Sequence, residues 1–238
     1  SAMANPNNKL FVLCNPHNPI GQIWKEKDLV RLAELANRYG VIVYSDEIFA
    51  DNCYNGLTCP CYLDIKGAKS HAIVATGLGK SFGFTGVNHA NIIIADDELR
   101  ARFTDRRTRD HYGSLDPCVY ECVLSAYTKD GKAWVDASNA YVWENMCVLR
   151  DYFAKHLPKA RVCGGEGAYI LWIDWSAYFS SGEELNEFLV KKAHVCLGEG
   201  SDYNSPLFTR VCMATPRKCL IRTLESIGEA FSKLGKEK

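Results

Sequence analysis

The apolar positions of this chain fall into two kinds of run. Leu10 to Cys14, Val41 to Tyr44, Ala72 to Ala75 and Ala90 to Ala95 are short, continuous and rich in β-branched residues. Runs of that kind predict strands buried on both faces. Between Lys25 and Arg38 the spacing changes, with Leu29, Leu32, Ala33, Leu35 and Ala36 at helical intervals and Gly40 behind them as a stop. Strands alternating with helices predict βαβ units and a mainly parallel sheet with flanking helices, an α/β fold. The run at Ala90 to Ala95 follows closely behind a glycine-rich loop and is free to run antiparallel.

Farther along, the pattern predicts helices over Asp96 to Asp110, Pro117 to Lys129 and Lys132 to His156, the last stopped by Pro158. The arginines between Arg100 and Arg109 read as a solvated face. Strands over Ala168 to Asp174 and Phe208 to Ala214 then alternate with helices over Gly182 to His194 and Pro216 to Leu234. This tail predicts a smaller C-terminal α+β domain. The division expected is a partial large domain over residues 1–140, and an interdomain helix with the small domain over 141–238. Ser1 to Ala4 reads as a cloning remnant outside the fold.

Composition narrows the function classes. The chain has 238 residues, 28 basic and 28 acidic, so the balanced charge argues against nucleic-acid or membrane-surface binding. No apolar run approaches the ~20 residues of a membrane helix. The polar start has no apolar signal-peptide core, which predicts a cytoplasmic protein. The cysteines number 11 and are scattered, several within apolar runs, so buried free thiols in a reducing compartment are expected. No C-x-x-C or H-E-x-x-H spacing occurs, and no metal site is expected.

Candidate chemistry gathers where strands end, since open α/β sheets bind ligands beyond their carboxyl edges. Asn18 follows the first strand, Asp46 the second and Lys80 the third. An amine, a carboxylate and an amide at one edge suit pyridoxal 5′-phosphate. Its aldehyde takes a lysine, its pyridine nitrogen a carboxylate, and its phenolic oxygen a hydrogen-bond donor.

Four segments carry a family resemblance. They are Asn15-Pro16-His17-Asn18-Pro19-Ile20-Gly21, Ser45-Asp46-Glu47-Ile48, Thr76-Gly77-Leu78-Gly79-Lys80-Ser81-Phe82-Gly83, and Phe208-Thr209-Arg210 through Ala214-Thr215-Pro216-Arg217. In this order they resemble the signatures of fold-type I pyridoxal-phosphate enzymes of the class I and II aminotransferase family. Together with Ala168-Tyr169-Ile170-Leu171-Trp172-Ile173-Asp174, they look most like its cystathionine β-lyase branch. The resemblance implies Lys80 as Schiff-base lysine and proton shuttle, and Asp46 at the pyridinium. It implies Asn18 at the phenolic oxygen and Arg210 on the carboxylate of an amino-acid substrate. Thr76 and Gly77 would stand near the phosphate, and Arg217 would be structural.

The activity so implied is β-elimination on a sulfur-bearing amino acid by a homodimeric enzyme. Transamination and a catalytically silent binding or oligomerisation module are the alternatives. The chain departs from the family at Gly77, where a hydroxyl is frequent, and at Gly79, Phe49, Ile20 and Asn88. Family members also begin well upstream of the Asn15–Gly21 segment. The resemblance therefore implies a chain matching the C-terminal portion of the family fold, with a sheet edge or face left exposed.

Overall fold

A computed structural model describes residues 2–113 and 116–234. The elements run β1 (Leu10–Cys14), α1 (Glu26–Tyr39), β2 (Ile42–Asp46), β3 (Ala72–Thr76), α2 (Leu78–Ser81), β4 (Asn91–Ile93), α3 (Asp97–Arg109), α4 (Pro117–Ala126) and α5 (Lys129–His156). β5 (Arg161–Gly164), β6 (Ile170–Asp174), α6 (Gly182–Lys191), β7 (Gly198–Glu199), β8 (Phe208–Cys212) and α7 (Arg217–Leu234) complete the order. The chain divides into two compact units, one of residues 1–17 and 23–137, the other of residues 18–22 and 138–238.

The first unit is built on a four-stranded sheet in the order β1-β2-β3-β4. β1, β2 and β3 are parallel and β4 is antiparallel to β3. The architecture is α/β. α1 buries Leu29, Ala33 and Ala36 at helical spacing, in one core with Leu13, Val43, Val74 and Tyr62. It ends as its sequence directs, with Gly40 left-handed at φ 62° and its N–H returned to the Ala36 carbonyl. The arginines of α3 are exposed and pair along the helix, as in Arg106 with Asp110 and Arg109 with Asp105. By register Leu10, Val12, Ile42, Tyr44 and Ile73 share the opposite sheet face. Leu10 and Val12 are 57% and 63% exposed there.

The second unit carries an antiparallel sheet in the order β5-β6-β8-β7. β6 is buried at every position. The core of this unit gathers Met146, Leu149, Phe153, Leu171, Ile173, Trp175, Leu185, Leu220, Leu224 and Ile227. Residues 18–22 belong here because the Gly21 carbonyl accepts from the Glu166 and Gly167 amides, at 3.0 and 3.2 Å. Gly164 makes that approach possible. Its φ is +89°, and a Cβ on it would stand 2.2 Å from the Ile20 carbonyl oxygen.

Several expectations need correction. Residues 2–4 form a 3-10 turn with Met3 buried, and the Asn8 side chain donates to the Ala2 carbonyl at 2.7 Å, so they are packed rather than set apart. All 11 cysteines are free, yet none is fully buried and Cys118, Cys196, Cys212 and Cys219 are exposed. These thiols sit on outward helix faces, in a loop or at a strand end, where an apolar neighbourhood in sequence is not a core in space. β5 and β7 were not anticipated. No helix among the described residues is long and apolar enough to cross a membrane.

Candidate active site

In the first unit the parallel register sets strand ends level, with Cys14 opposite Asp46 and Asp46 opposite Ala75. Asp46 is the last residue of β2. Thr76 is the last of β3, followed by extended Gly77 and the single turn α2 that carries Lys80. A parallel sheet thus brings to one edge two side chains 34 residues apart in sequence.

The Lys80 charge is felt at Asp46. Burial is the largest influence on the half-buried Asp46 carboxyl and holds its pKa above the ordinary value. The Ile48 amide, 3.3 Å from Oδ1, and the Lys80 charge both pull it down. The Lys80 Nζ lies 5.8 Å from the centroid of the buried Phe49 ring. α2 is anchored behind the lysine by Ser81, whose Oγ donates to Asp51 at 2.6 Å. Thr76 Oγ1 accepts from Asn91 Nδ2 at 3.2 Å. Gly77 has a local reason, since a Cβ there would meet the His89 carbonyl oxygen at 3.2 Å. A serine or threonine at that position would need the His89 backbone to yield.

A raised carboxylate pKa has a definite sign in stability. The folded state holds the Asp46 proton more tightly than the unfolded chain, so the charged form costs stability at neutral pH. That cost fades as pH falls through the folded pKa. Asp46→Asn is therefore expected to raise the melting temperature at pH 7. The difference should narrow as pH approaches about 4, where the unperturbed carboxylate titrates. Melting curves across that range check both statements.

Glu47, next in sequence, has a different duty. It is buried, and its Oε1 accepts from Ser45 Oγ at 2.8 Å and from the Tyr62 amide at 2.9 Å. Burial raises its pKa, and these donors partly offset that. It ties the segment at Tyr62 to the end of β2, a role that only a contact distant in sequence defines.

In the second unit Arg210, half-buried on β8, donates from Nη1 to Asn18 Oδ1 at 3.1 Å. No carboxylate pairs with it among the described residues. Tyr203, which sequence reasoning missed, accepts a second bond from the same nitrogen. Arg217 begins α7 and is held by Asn145, Glu144 and Tyr141, with Nε 2.9 Å from Asn145 Oδ1. That is a structural placement. A cavity of about 530 Å³ in this unit is lined in part by Leu197, Gly198, Arg210, Cys212 and Cys219.

These features bear comparison with known proteins. The model of the aminotransferase class I and II family matches residues 1–227, and the chain belongs to that family. Cystathionine beta-lyase PatB of Bacillus subtilis is 33% identical over 202 residues, which cover 84% of this chain and 52% of that protein. Protein MalY of Escherichia coli is 26% identical, over 92% of this chain and 56% of its own. Among solved structures, cystalysin of Treponema denticola, which contains a pyridoxal 5′-phosphate cofactor, superposes with a TM-score of 0.92. It is 27% identical over 98% of this chain and 60% of its own. The pyridoxal-phosphate-bound C-S lyase of Staphylococcus hominis gives 0.85 at 28% identity, over 96% of this chain and 60% of its own. The chain thus spans between half and three-fifths of the length of these relatives.

Proposed function

We propose that this chain carries the lysine and the substrate-carboxylate site of a pyridoxal-phosphate-dependent C–S lyase acting on a sulfur-bearing amino acid. The observation that carries the reading is the placement of Asp46 at the end of β2 and of Lys80 in the turn after β3, on one carboxyl edge of a parallel sheet, with the Lys80 charge felt by the Asp46 carboxyl. The relatives' names point the same way.

The donor set fits the ring end of the cofactor. A half-buried carboxylate kept from full hydration suits a pyridinium nitrogen, and an amine beside it suits the aldehyde. When bound, pyridoxal phosphate supplies an electron sink for the substrate α-carbon. Lys80 holds the cofactor and takes the α-proton from the substrate. Asp46 keeps a proton on the ring nitrogen. Arg210, oriented by Asn18, binds the substrate carboxylate through charge-assisted hydrogen bonds. Thr76 and Gly77 would stand near the phosphate. With the cofactor bound, Lys80 would return the proton it took from the α-carbon to the departing β-sulfur, so that a thiol leaves, and water would hydrolyse the released enamine fragment to pyruvate and ammonia.

The test is incubation of the chain with pyridoxal phosphate and cystathionine. Pyruvate formed without any added 2-oxoacid is expected. Turnover that needs a 2-oxoacid acceptor would instead make the chain a transaminase, and no turnover at saturating cofactor would make it a binding module. Arg210→Ala is expected to raise the KM for cystathionine ~100-fold or more, since charge-assisted bidentate contacts are lost.

A further inference from the structure

The guanidinium of Arg210 is more constrained than a carboxylate site requires. Nη1 carries two hydrogens and donates to two acceptors, Asn18 Oδ1 at 3.1 Å and Tyr203 Oη. No protein acceptor among the described residues takes Nη2 or Nε. The Tyr203 ring lies with its centroid 5.3 Å from Cζ, within cation–π range.

Tyr203 is itself held firmly. Trp172 meets its ring edge to face at 5.7 Å and stacks on Phe208 at 5.3 Å. Trp172 is also the cross-strand partner of Arg210. On the other side Arg210 pairs with Gly198, where a Cβ would stand 3.3 Å from the Arg210 Cβ and 3.5 Å from Nε. A Cβ on Gly200 would meet the Ser205 carbonyl oxygen at 2.0 Å, so glycine there lets the turn bearing Tyr203 fold onto β8. Two close approaches and an aromatic stack thus serve to set one phenol against one guanidinium.

We propose that Tyr203 is a positioning residue for substrate recognition. With Asn18 it saturates Nη1, so that Arg210 receives the substrate carboxylate side-on, through Nη2 and Nε. The site then selects ligands with a planar carboxylate, because Nε–H and one Nη2–H are parallel and form one free edge of the fork. This rests on the assignment of Arg210 to the substrate carboxylate but not on the reaction that follows.

The test uses the cofactor-free chain labelled with ¹⁵N-arginine, titrated with L-cystathionine and with its carboxamide derivative. The Arg210 Nε–H resonance, assigned by its loss in Arg210→Lys, is expected to shift with the carboxylate ligand and to stay in place with the amide. Tyr203→Phe keeps the ring and removes the acceptor. It should weaken cystathionine binding ~10-fold and erase most of the preference over the amide. In the loaded enzyme the same variant should raise KM with kcat within about twofold, the sign of lost ground-state binding. An unmoved Nε resonance, or wild-type affinity and preference in Tyr203→Phe, would overturn the proposal. A shifted resonance in a chain that never releases pyruvate would keep it and remove the lyase reading.

Discussion

Lys80→Ala should reduce pyruvate formation from cystathionine at least ~10⁴-fold, to the level of free pyridoxal phosphate in buffer. The magnitude follows from two losses in one substitution. The amine that holds the cofactor disappears, and with it the base for the α-proton, a role alone worth ~10²–10⁴ in rate. A fold defect would not explain the loss, because Lys80 is half-buried on a single turn whose buried residues are Leu78 and Ser81, and the turn is anchored through Ser81 and Asp51. The melting temperature should therefore stay near that of the wild type. A second consequence separates chemistry from packing. With the Lys80 charge gone, burial acts on Asp46 with less opposition, and its carboxyl should titrate still higher. Carboxylate NMR titration of the two proteins measures that shift.

The largest effect on stability is expected at Trp175. Its side chain is fully buried, stacked on Phe231 at 5.6 Å and edge-on to Phe153 at 5.5 Å. Its indole Nε1 donates to buried Thr209 Oγ1 at 2.8 Å. Trp175→Ala removes the ring and opens a cavity among side chains that are themselves buried, at a cost of about 3–5 kcal/mol. It also strands the Thr209 hydroxyl, next to Arg210 on β8. The second unit should melt roughly 10 °C or more below wild type. Trp175→Phe keeps the stack and loses only the N–H, so about 1 kcal/mol is expected. Thermal and urea denaturation of both variants checks the ratio.

Much of the first unit is legible because three of its strands are parallel and apolar, although the expectation that they are buried on both faces fails at β1, where Leu10 and Val12 are exposed. β1, β2 and β3 are continuous apolar runs, and each stands within a residue or two of where the pattern puts it. Residue types at strand ends point to Asp46 and Lys80, and the parallel register of the first unit brings those two strand ends to one edge, whereas Asn18 belongs to the second unit and Arg210 follows from the family resemblance. What the sequence hid is short or nonlocal. β7 has two residues and β5 has four, too few to show a period. Tyr203 lies in a turn after Gly200, with no regular spacing to mark it, and its partner is defined only once β7 and β8 pair. The membership of residues 18–22 in the second unit depends on the glycines at 21 and 164, whose contact spans 143 positions of sequence. The cysteines misled for a related reason. Cys212 ends an apolar strand, yet its side chain points to the exposed face.

The central claim is that Lys80, among all the lysines of the chain, is the cofactor's anchor. The direct measurement is to incubate the chain with pyridoxal phosphate, reduce with borohydride, digest, and locate the phosphopyridoxyl group by mass spectrometry. The account predicts near-stoichiometric label on Lys80, lost in Lys80→Ala. Label spread over surface lysines, or none on Lys80 at saturating cofactor, would contradict it.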